Sequence, residues 1–422
     1  MSGKCCKISF NKFILLAAGV AGITALWPHP ITYSIAESIS DIFMNLLKLV
    51  SVPIIFLSLL STVTGMELSE FRSLGLRVVK YTIFTTFAAA LVALILFLGI
   101  NPVQGVIAPQ EVQSPIDASL TTTYFSYLFK VVPSNIIAPF SESNVISVLL
   151  LALLLGIASL TLPDVQRHTL HNLFSSLYAL VMKVTSWIVI CIPLAIWSFI
   201  TLAIRDMSGN AEIKSLGLYL CCVIFANLVQ AVVVLPLFLK FQGVSTGKLL
   251  RGMWPALSVA FFTKSSSATL PMAMRCAQER VGISDKLSNI TFPLCTTLNM
   301  NGCAAFILIT VLFVSMSHGI GYSLPEMALW TVIATIAALG NAGVPMGCYF
   351  LSTALLASMN VPLYLMGLIL PFYALIDMLE TAVNVWSDSC VVAVVHHQIS
   401  SESLSAEHAA PSLLKNPSLE VQ

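Results

Sequence analysis

Charge is what this sequence has least of. Of its 422 residues only 9% are Asp, Glu, Lys or Arg, where an ordinary soluble domain carries about 25%. With 57% hydrophobic residues, a water-soluble chain of this size lacks the polar groups to cover its surface, so a soluble protein is excluded. A net charge of +1 leaves no basic excess for nucleic acid. Motifs of catalysis are also scarce. His171, His318, His396 and His397 form no H-E-x-x-H pair, and no phosphate loop is present. An enzyme is not expected. The ten cysteines include no C-x-x-C pair, and Cys191, Cys221, Cys222, Cys295, Cys303 and Cys348 lie inside apolar segments. They read as small packing residues rather than a disulfide framework.

What is present is long apolar runs. A helix needs about 20 apolar residues to span a bilayer. Runs at Phe43–Met66, Tyr81–Ile100, Val145–Leu162, Leu173–Ile204, Leu216–Leu239, Ala304–Met316 and Pro362–Trp386 approach or exceed that. None alternates as barrel strands do, so an all-α membrane protein is expected. Lys4, Lys7 and Lys12 precede Phe13–Leu26, which reads as an uncleaved first helix rather than a secretory signal. Basic residues cluster in several links: Arg72, Arg77 and Lys80; Arg167; Lys240, Lys248 and Arg251; Arg275, Arg280 and Lys286. Asn101–Thr123 and Ser317–Pro362 carry no Lys or Arg. The positive-inside rule puts the basic links and both termini in the cytoplasm of a multi-pass protein of the cell (inner) membrane. The polar stretch 398–422 reads as a disordered tail.

The second half carries polar breaks. FTKSSSATLP (Phe262–Pro271) and LGNAGVP (Leu339–Pro345) interrupt apolar sequence. Irregular backbone at membrane depth persists only where protein or a wet cavity surrounds it. The two breaks read as re-entrant hairpins, with plain extramembrane loops as the alternative. Each is paired with an apolar helix that carries polar residues, one with Asn299-Met300-Asn301-Gly302-Cys303, the other with Asp377, Glu380, Thr381, Asn384 and Asp388. This alternation suggests an internal repeat, and paired breaks point to a transporter's binding site.

Positions 377, 380, 381, 384 and 388 fall within an arc of roughly 100° at about 100° per residue. Three acids at mid-bilayer cost roughly 8–10 kcal/mol together, which implies a compensating cavity, cation or substrate. A polar seam between helices is the plainer reading. Gly302 in the Asn299–Cys303 stretch suits a locally unwound helix whose carbonyls and Asn side chains would ligate sodium, or else a simple kink. Ser265, Ser266 and Ser267 offer hydroxyls and N–H groups to an anion, and Lys264 is placed to pair with Asp377. Thr85 and Thr86 sit in an apolar span, where a hydroxyl ordinarily bonds its own preceding turn.

These motifs together resemble the dicarboxylate/amino acid:cation symporters, the glutamate transporter family. The resemblance covers most of the chain and is strongest from Phe261 to Asp388; LKLVSVPIIF around Pro53 looks like the family's second span. It implies eight transmembrane helices plus two re-entrant hairpins, inverted repeats and a homotrimer in the lipid bilayer. It also implies an elevator mechanism within one membrane domain, residues 1–397. There 1–74 and 121–214 would form the trimerisation scaffold, and 75–100 and 215–397 the moving transport core. Asp377 would hold a substrate ammonium and Asn384 its α-carboxylate, with Cys303 and Thr381 lining the pocket. The tips Lys264–Ser267 and Ala342–Pro345 (Gly343, Val344 and Pro345 among them) would contribute backbone groups, the second tip as an external lid.

For the coupling sodium ions the resemblance implies one site at Asp388 with Asn299 and Asn384. A second would use Thr85, Thr86, Asn299 and Asn301. A third would draw on Cys295, Thr297, Ala338, Leu339 and Asn341. Three positions depart from the acidic-substrate pattern. Glu380 stands where those members carry Arg, and two like charges at about 4 Å repel by ~4 kcal/mol at an effective dielectric near 20. Asn301 replaces the Asp of the usual NMDGT. Met346 replaces a Gly beside the second tip. Glu-Thr-Ala-x-Asn is similar to the family's sodium:serine/threonine symporters. The expectation is therefore sodium-coupled uptake of a small neutral amino acid, serine or threonine first. Sodium- or proton-coupled glutamate or dicarboxylate symport is the alternative, and an ion channel the more distant one.

Overall fold

The structure is a computed structural model that describes residues 17, 19–24, 29–65, 75–103, 133, 135–141, 145–206, 210–339, 341 and 346–409. Every regular element among these residues is helical. The expected first helix, Phe13–Leu26, lies largely outside them; residues 19–24 are helical.

Helix α1 (Pro30–Thr64) is apolar with Pro53 inside it. Several of its hydroxyls are satisfied within the helix. Ser58 donates to the Ile55 carbonyl (3.2 Å) and Thr64 to that of Leu60 (2.8 Å), as membrane helices require where no water competes. Helix α2 (Leu76–Ile100) follows, then α3 (Val145–Leu160). The expected span Leu173–Ile204 is two helices, α4 (Asp164–Ile190) and α5 (Ile192–Asp206), with axes bent by 51°. Pro193, in the first turn of α5, has no N–H to continue the preceding helix. Helix α6 (Asn210–Val229) passes through a π-helical turn, Gln230–Val234, into α7 (Leu235–Phe241).

The first expected re-entrant break is a helical hairpin and not a loop. Helix α8 (Thr246–Thr263) ends at Lys264, whose φ of 55° is left-handed, and α9 (Ser266–Cys276) starts two residues later. The two helices pack on each other, and both pack on the last helix. Ser265 caps α9, accepting from the Ala268 N–H at 3.2 Å. Helix α10 (Asp285–Leu298) then runs into α11 (Asn301–Ser317), broken only at Asn299 and Met300. At the second break, α12 (Leu324–Leu339) and α13 (Gly347–Ser358) both lie against α11. Residues 342–345, which include the expected tip residues Gly343, Val344 and Pro345, are outside the described set.

Helix α14 (Tyr364–Ala409) is 46 residues long, about 69 Å at 1.5 Å per residue. The expected boundary at 397 is therefore moved: the helix continues without a break to Ala409. Gln, Glu, Leu and Ala, which alternate with serines over residues 398–409, continue a helix readily once its register is set. Residues 410–422 are outside the described set.

Among the described residues five helices are long and apolar enough to cross a membrane, or six if the bent α4–α5 pair counts as one span. Helix α1 packs on α3, α4 and α5, while α2 packs on α6, α11 and α12. Helix α11 is the centre of the molecule. It is apolar around its whole circumference and buried around its whole circumference, from Asn301 through Ser315. A helix of that kind belongs inside protein, because lipid and water both sit outside its neighbours.

Candidate functional site

The polar residues of α14 form one buried face. Asp377, Glu380, Thr381, Asn384 and Asp388 are each at most 6% exposed, so the seam points into protein. It lies against the break between α10 and α11. Asn384 accepts from the Gly302 N–H at 2.8 Å, and its amide nitrogen is 3.4 Å from the Cys303 sulfur. This bond takes one of the N–H groups that the first turn of α11 cannot satisfy by itself.

Gly302 has a different role from the one its sequence suggested. It is not the unwound residue; it lies in the first turn of α11. A Cβ there would come within 2.7 Å of the Asn227 side-chain oxygen and 2.9 Å of the Glu380 Cα. Glycine is what lets α11 approach the α14 backbone this closely. Gly302→Ala is expected to destabilise the protein by about 1–3 kcal/mol through overpacking, seen as a lower midpoint of thermal unfolding in detergent. An unchanged midpoint would mean the two helices separate freely.

Around Asn299 and Asn301 the structure gathers residues from four elements. Thr85 of α2 donates to the Asn299 side-chain oxygen at 3.0 Å, although it also reaches the carbonyls of Tyr81 and Thr82 in its own helix. Asn301 donates to Asn299 at 2.9 Å and to the Ser387 hydroxyl. Asn299 donates to Ser387 at 2.9 Å and to Asp388 at 3.1 Å. Thr296 reaches the other Asp388 oxygen at 3.4 Å. The Thr86 hydroxyl is buried with no partner. Nearby, the Asn299 N–H bonds the Cys295 carbonyl at 2.7 Å and the Thr297 hydroxyl bonds the Pro293 carbonyl. The Ala338 carbonyl accepts from the Asn341 N–H at 3.1 Å, and Leu339 ends α12.

Two members of this cluster escaped the sequence reading. Gln230 donates to the Asn301 oxygen at 2.8 Å and to the Thr85 carbonyl at 3.2 Å, leaving its own carbonyl oxygen buried and unpaired. In the π-helical turn that places it, the Ala231 carbonyl accepts from the Trp386 indole N–H at 3.1 Å. A lone glutamine in an apolar span was the available signal. Ser387 was hidden because serine in a helix ordinarily bonds its own turn.

At the other end of the seam, Tyr373 donates to one Glu380 oxygen at 3.3 Å, while the second is buried and unpartnered. Tyr373 stands four residues before Asp377 on the same face and also escaped notice. Thr381 donates to the Asp377 carbonyl at 2.7 Å. The expected ion pair of Lys264 with Asp377 is not formed, since no nitrogen–oxygen distance between them falls within 4.0 Å. Lys264 acts on Asp377 only through its field, and Asp377 also faces the Met346 backbone and Tyr373. The left-handed turn at Lys264 sets where its chain points. Ser266 is buried and Ser267 exposed at the hairpin turn.

Two cysteines depart from the expected unpaired packing residues. Cys303 of α11 and Cys348 of α13 are joined as a disulfide. Their separation of 45 residues gave no sign of it, because only the packing of α13 on α11 brings the sulfurs together. Met346 has a left-handed φ of 61°, a conformation that glycine adopts at less cost. A G-x-S-x-G string, Gly243–Gly247, is also present. It joins two helices instead of a strand to a helix, and Ser245 is the residue before α8. It lacks the strand–turn–helix context of a hydrolase nucleophile.

Residues 10–398 match the sodium:dicarboxylate symporter family. The chain belongs to that family. It is similar to human neutral amino acid transporter A, at 26% identity over 85% of this chain and 75% of the relative. It is also similar to rabbit neutral amino acid transporter B(0), at 25% over 91% and 77%. A Caenorhabditis elegans excitatory amino acid transporter matches at 25% over 85% and 80%. The protein is thus a multi-pass membrane transporter of a sodium-coupled symport family, and its buried polar seam lies in the span of sequence that carries the match.

Proposed function

We propose that the chain couples sodium influx to uptake of a small neutral amino acid, serine or threonine foremost, by an elevator movement of one helical unit against another. Glu380 carries this reading. A carboxylate only 1% exposed, with one oxygen unpartnered, opposes a second carboxylate in the substrate and accepts a hydrogen bond from a hydroxyl instead. Relatives named as neutral amino acid transporters support the same choice.

In this reading Asp377 binds the substrate ammonium, and Asn384 turns its amide from Cys303 to the α-carboxylate. Thr381 and Cys303 line the pocket, and the hairpin residues Lys264, Ser265, Ser266 and Ser267 close it on one side. Gly343, Val344 and Pro345 form the second tip. Sodium takes oxygen ligands at Asp388 with Asn299 and Asn384, and at Thr85, Thr86, Asn299 and Asn301. A third set draws on Cys295, Thr297, Ala338, Leu339 and Asn341, where α10 and α12 end; the Cys295 and Ala338 carbonyls, which accept from the Asn299 and Asn341 N–H groups, keep a second lone pair for a cation. Eight transmembrane helices and two hairpins in inverted repeats, with cytoplasmic termini in the cell membrane and three copies per assembly, complete the proposal. The packing of α1 on α3–α5, and of α2 on α6, α11 and α12, supports 1–74 and 121–214 as scaffold and 75–100 with 215–397 as the moving unit.

The test is uptake by purified protein in liposomes with labelled serine, threonine, glutamate and lysine, with and without an inward sodium gradient. Serine or threonine accumulating only with sodium is expected. Glutamate accumulation would sink the neutral-substrate reading, and sodium-independent current without amino acid would indicate a channel. Asn301→Asp is expected to lower the half-saturating sodium concentration about tenfold, because it restores a charged ligand worth ~1.4 kcal/mol or more. Sodium-dependence curves for the two proteins check this.

A further inference from the structure

We propose that Cys303, Cys348 and Glu380, once the cysteines are reduced, form a binding site for a thiophilic divalent cation of the zinc class. Three observations converge. The two sulfurs and a Glu380 carboxylate oxygen all lie within 4.8 Å of one another, and all three residues are at most 2% exposed. One Glu380 oxygen is buried with no hydrogen-bond partner. A desolvated acceptor of that kind is costly unless a cation or proton satisfies it. Finally, Asn341 presents its amide nitrogen to both sulfurs, at 2.9 Å from Cys303 and 3.5 Å from Cys348, while its carbonyl oxygen is also unpartnered. The two ends of a side-chain amide exchange by a half-turn, and that turn presents an oxygen where the nitrogen now lies. Two thiolates, a carboxylate and an amide oxygen make a four-donor set of the kind tetrahedral zinc takes, with soft sulfur selecting it over sodium or magnesium.

A phosphine or thiol reductant supplies two electrons, and with two protons the disulfide becomes two thiols. The cation then displaces both thiol protons to solvent and binds the two thiolates. The thiolates and carboxylate come from α11, α13 and α14 and the amide from Asn341 ahead of α13, so a bound ion fastens α13 to the other two helices. It also takes the Glu380 oxygen that the proposed substrate hydroxyl would use. The consequence for transport rests on the function proposed above; the site itself does not.

The experiment titrates cadmium into full-length protein in detergent after phosphine reduction and desalting. Thiol titration first establishes that the pair is reduced. A thiolate-to-metal charge-transfer band saturating at one ion per chain, with zinc competing, is expected. The band should persist in Cys221→Ser/Cys222→Ser and disappear in Cys348→Ser, in Cys348→Ala and in reoxidised protein. Glu380→Gln should weaken binding by about tenfold or more. Each variant's elution profile shows that it is folded. No band in reduced protein, or the same band in both Cys348 variants, would overturn the site. In liposomes, zinc should suppress sodium-driven uptake several-fold in the parent and not in Cys348→Ser. A normal band without such inhibition would keep the site and remove Glu380 from the substrate pocket.

Discussion

Replacing Asp377 with asparagine is expected to reduce sodium-driven uptake by about a hundredfold or more while leaving the protein folded. Asp377 is 6% exposed and its carboxylate makes no ion pair within 4.0 Å; a basic nitrogen acts on it only from a distance. A buried acid without a close countercharge is poised for a cation delivered from outside. Removing one partner of a buried charge pair costs about 2–5 kcal/mol, roughly thirtyfold to several thousandfold in transport at low substrate. Asparagine keeps the shape and removes only the charge. Its backbone carbonyl still accepts from Thr381, so helix α14 is undisturbed. Uptake kinetics and a thermal unfolding curve on the same preparation check the prediction. Normal uptake would remove the ammonium role, and a collapsed unfolding midpoint would make the acid structural.

The second large effect is expected from Glu380→Arg. In the proposed pocket the parent's Glu380 carboxylate would repel a second carboxylate by about 4 kcal/mol at ~4 Å. A guanidinium there converts repulsion into a bidentate contact. Preference for serine over aspartate should reverse, with a combined change of two or more orders of magnitude in the ratio of uptake rates. Tyr373 loses its acceptor in this variant, so some loss of stability accompanies the switch. Competition of unlabelled aspartate against labelled serine in parent and variant measures it. An unaltered preference would show that position 380 does not face the substrate.

Much of this architecture was legible in the chain because the membrane penalises polar atoms so heavily. Apolar runs give helices, and polar residues inside such runs must face one another. That logic placed Asp377, Asn384 and Asp388 on one face and marked Asn299–Cys303 as a break. It identified the first hairpin from its serines. It missed what depends on contact between distant segments. Gly302 by its residue type suits an unwound helix, whereas in the structure it vacates space for Glu380 and Asn227. Gln230 and Ser387 join the Asn301 network only because a π-helical turn and the register of α14 carry them there. The Cys303–Cys348 pair depends on how α13 lies on α11. The end of the last helix was placed too early because the sequence turns polar before the helix stops, and polarity marks where lipid ends, not where hydrogen bonding does.

The burial of α11 has a consequence for amide exchange. Its N–H groups are enclosed on every side, so their deuterium uptake requires opening of the whole bundle and not a local fraying. The polar turn that meets Asn384 begins this helix, which makes one wall of the proposed pocket the slowest-exchanging backbone in the molecule. Ligand-dependent changes in exchange should then appear in α8, α9 and α13, with α11 silent in both states.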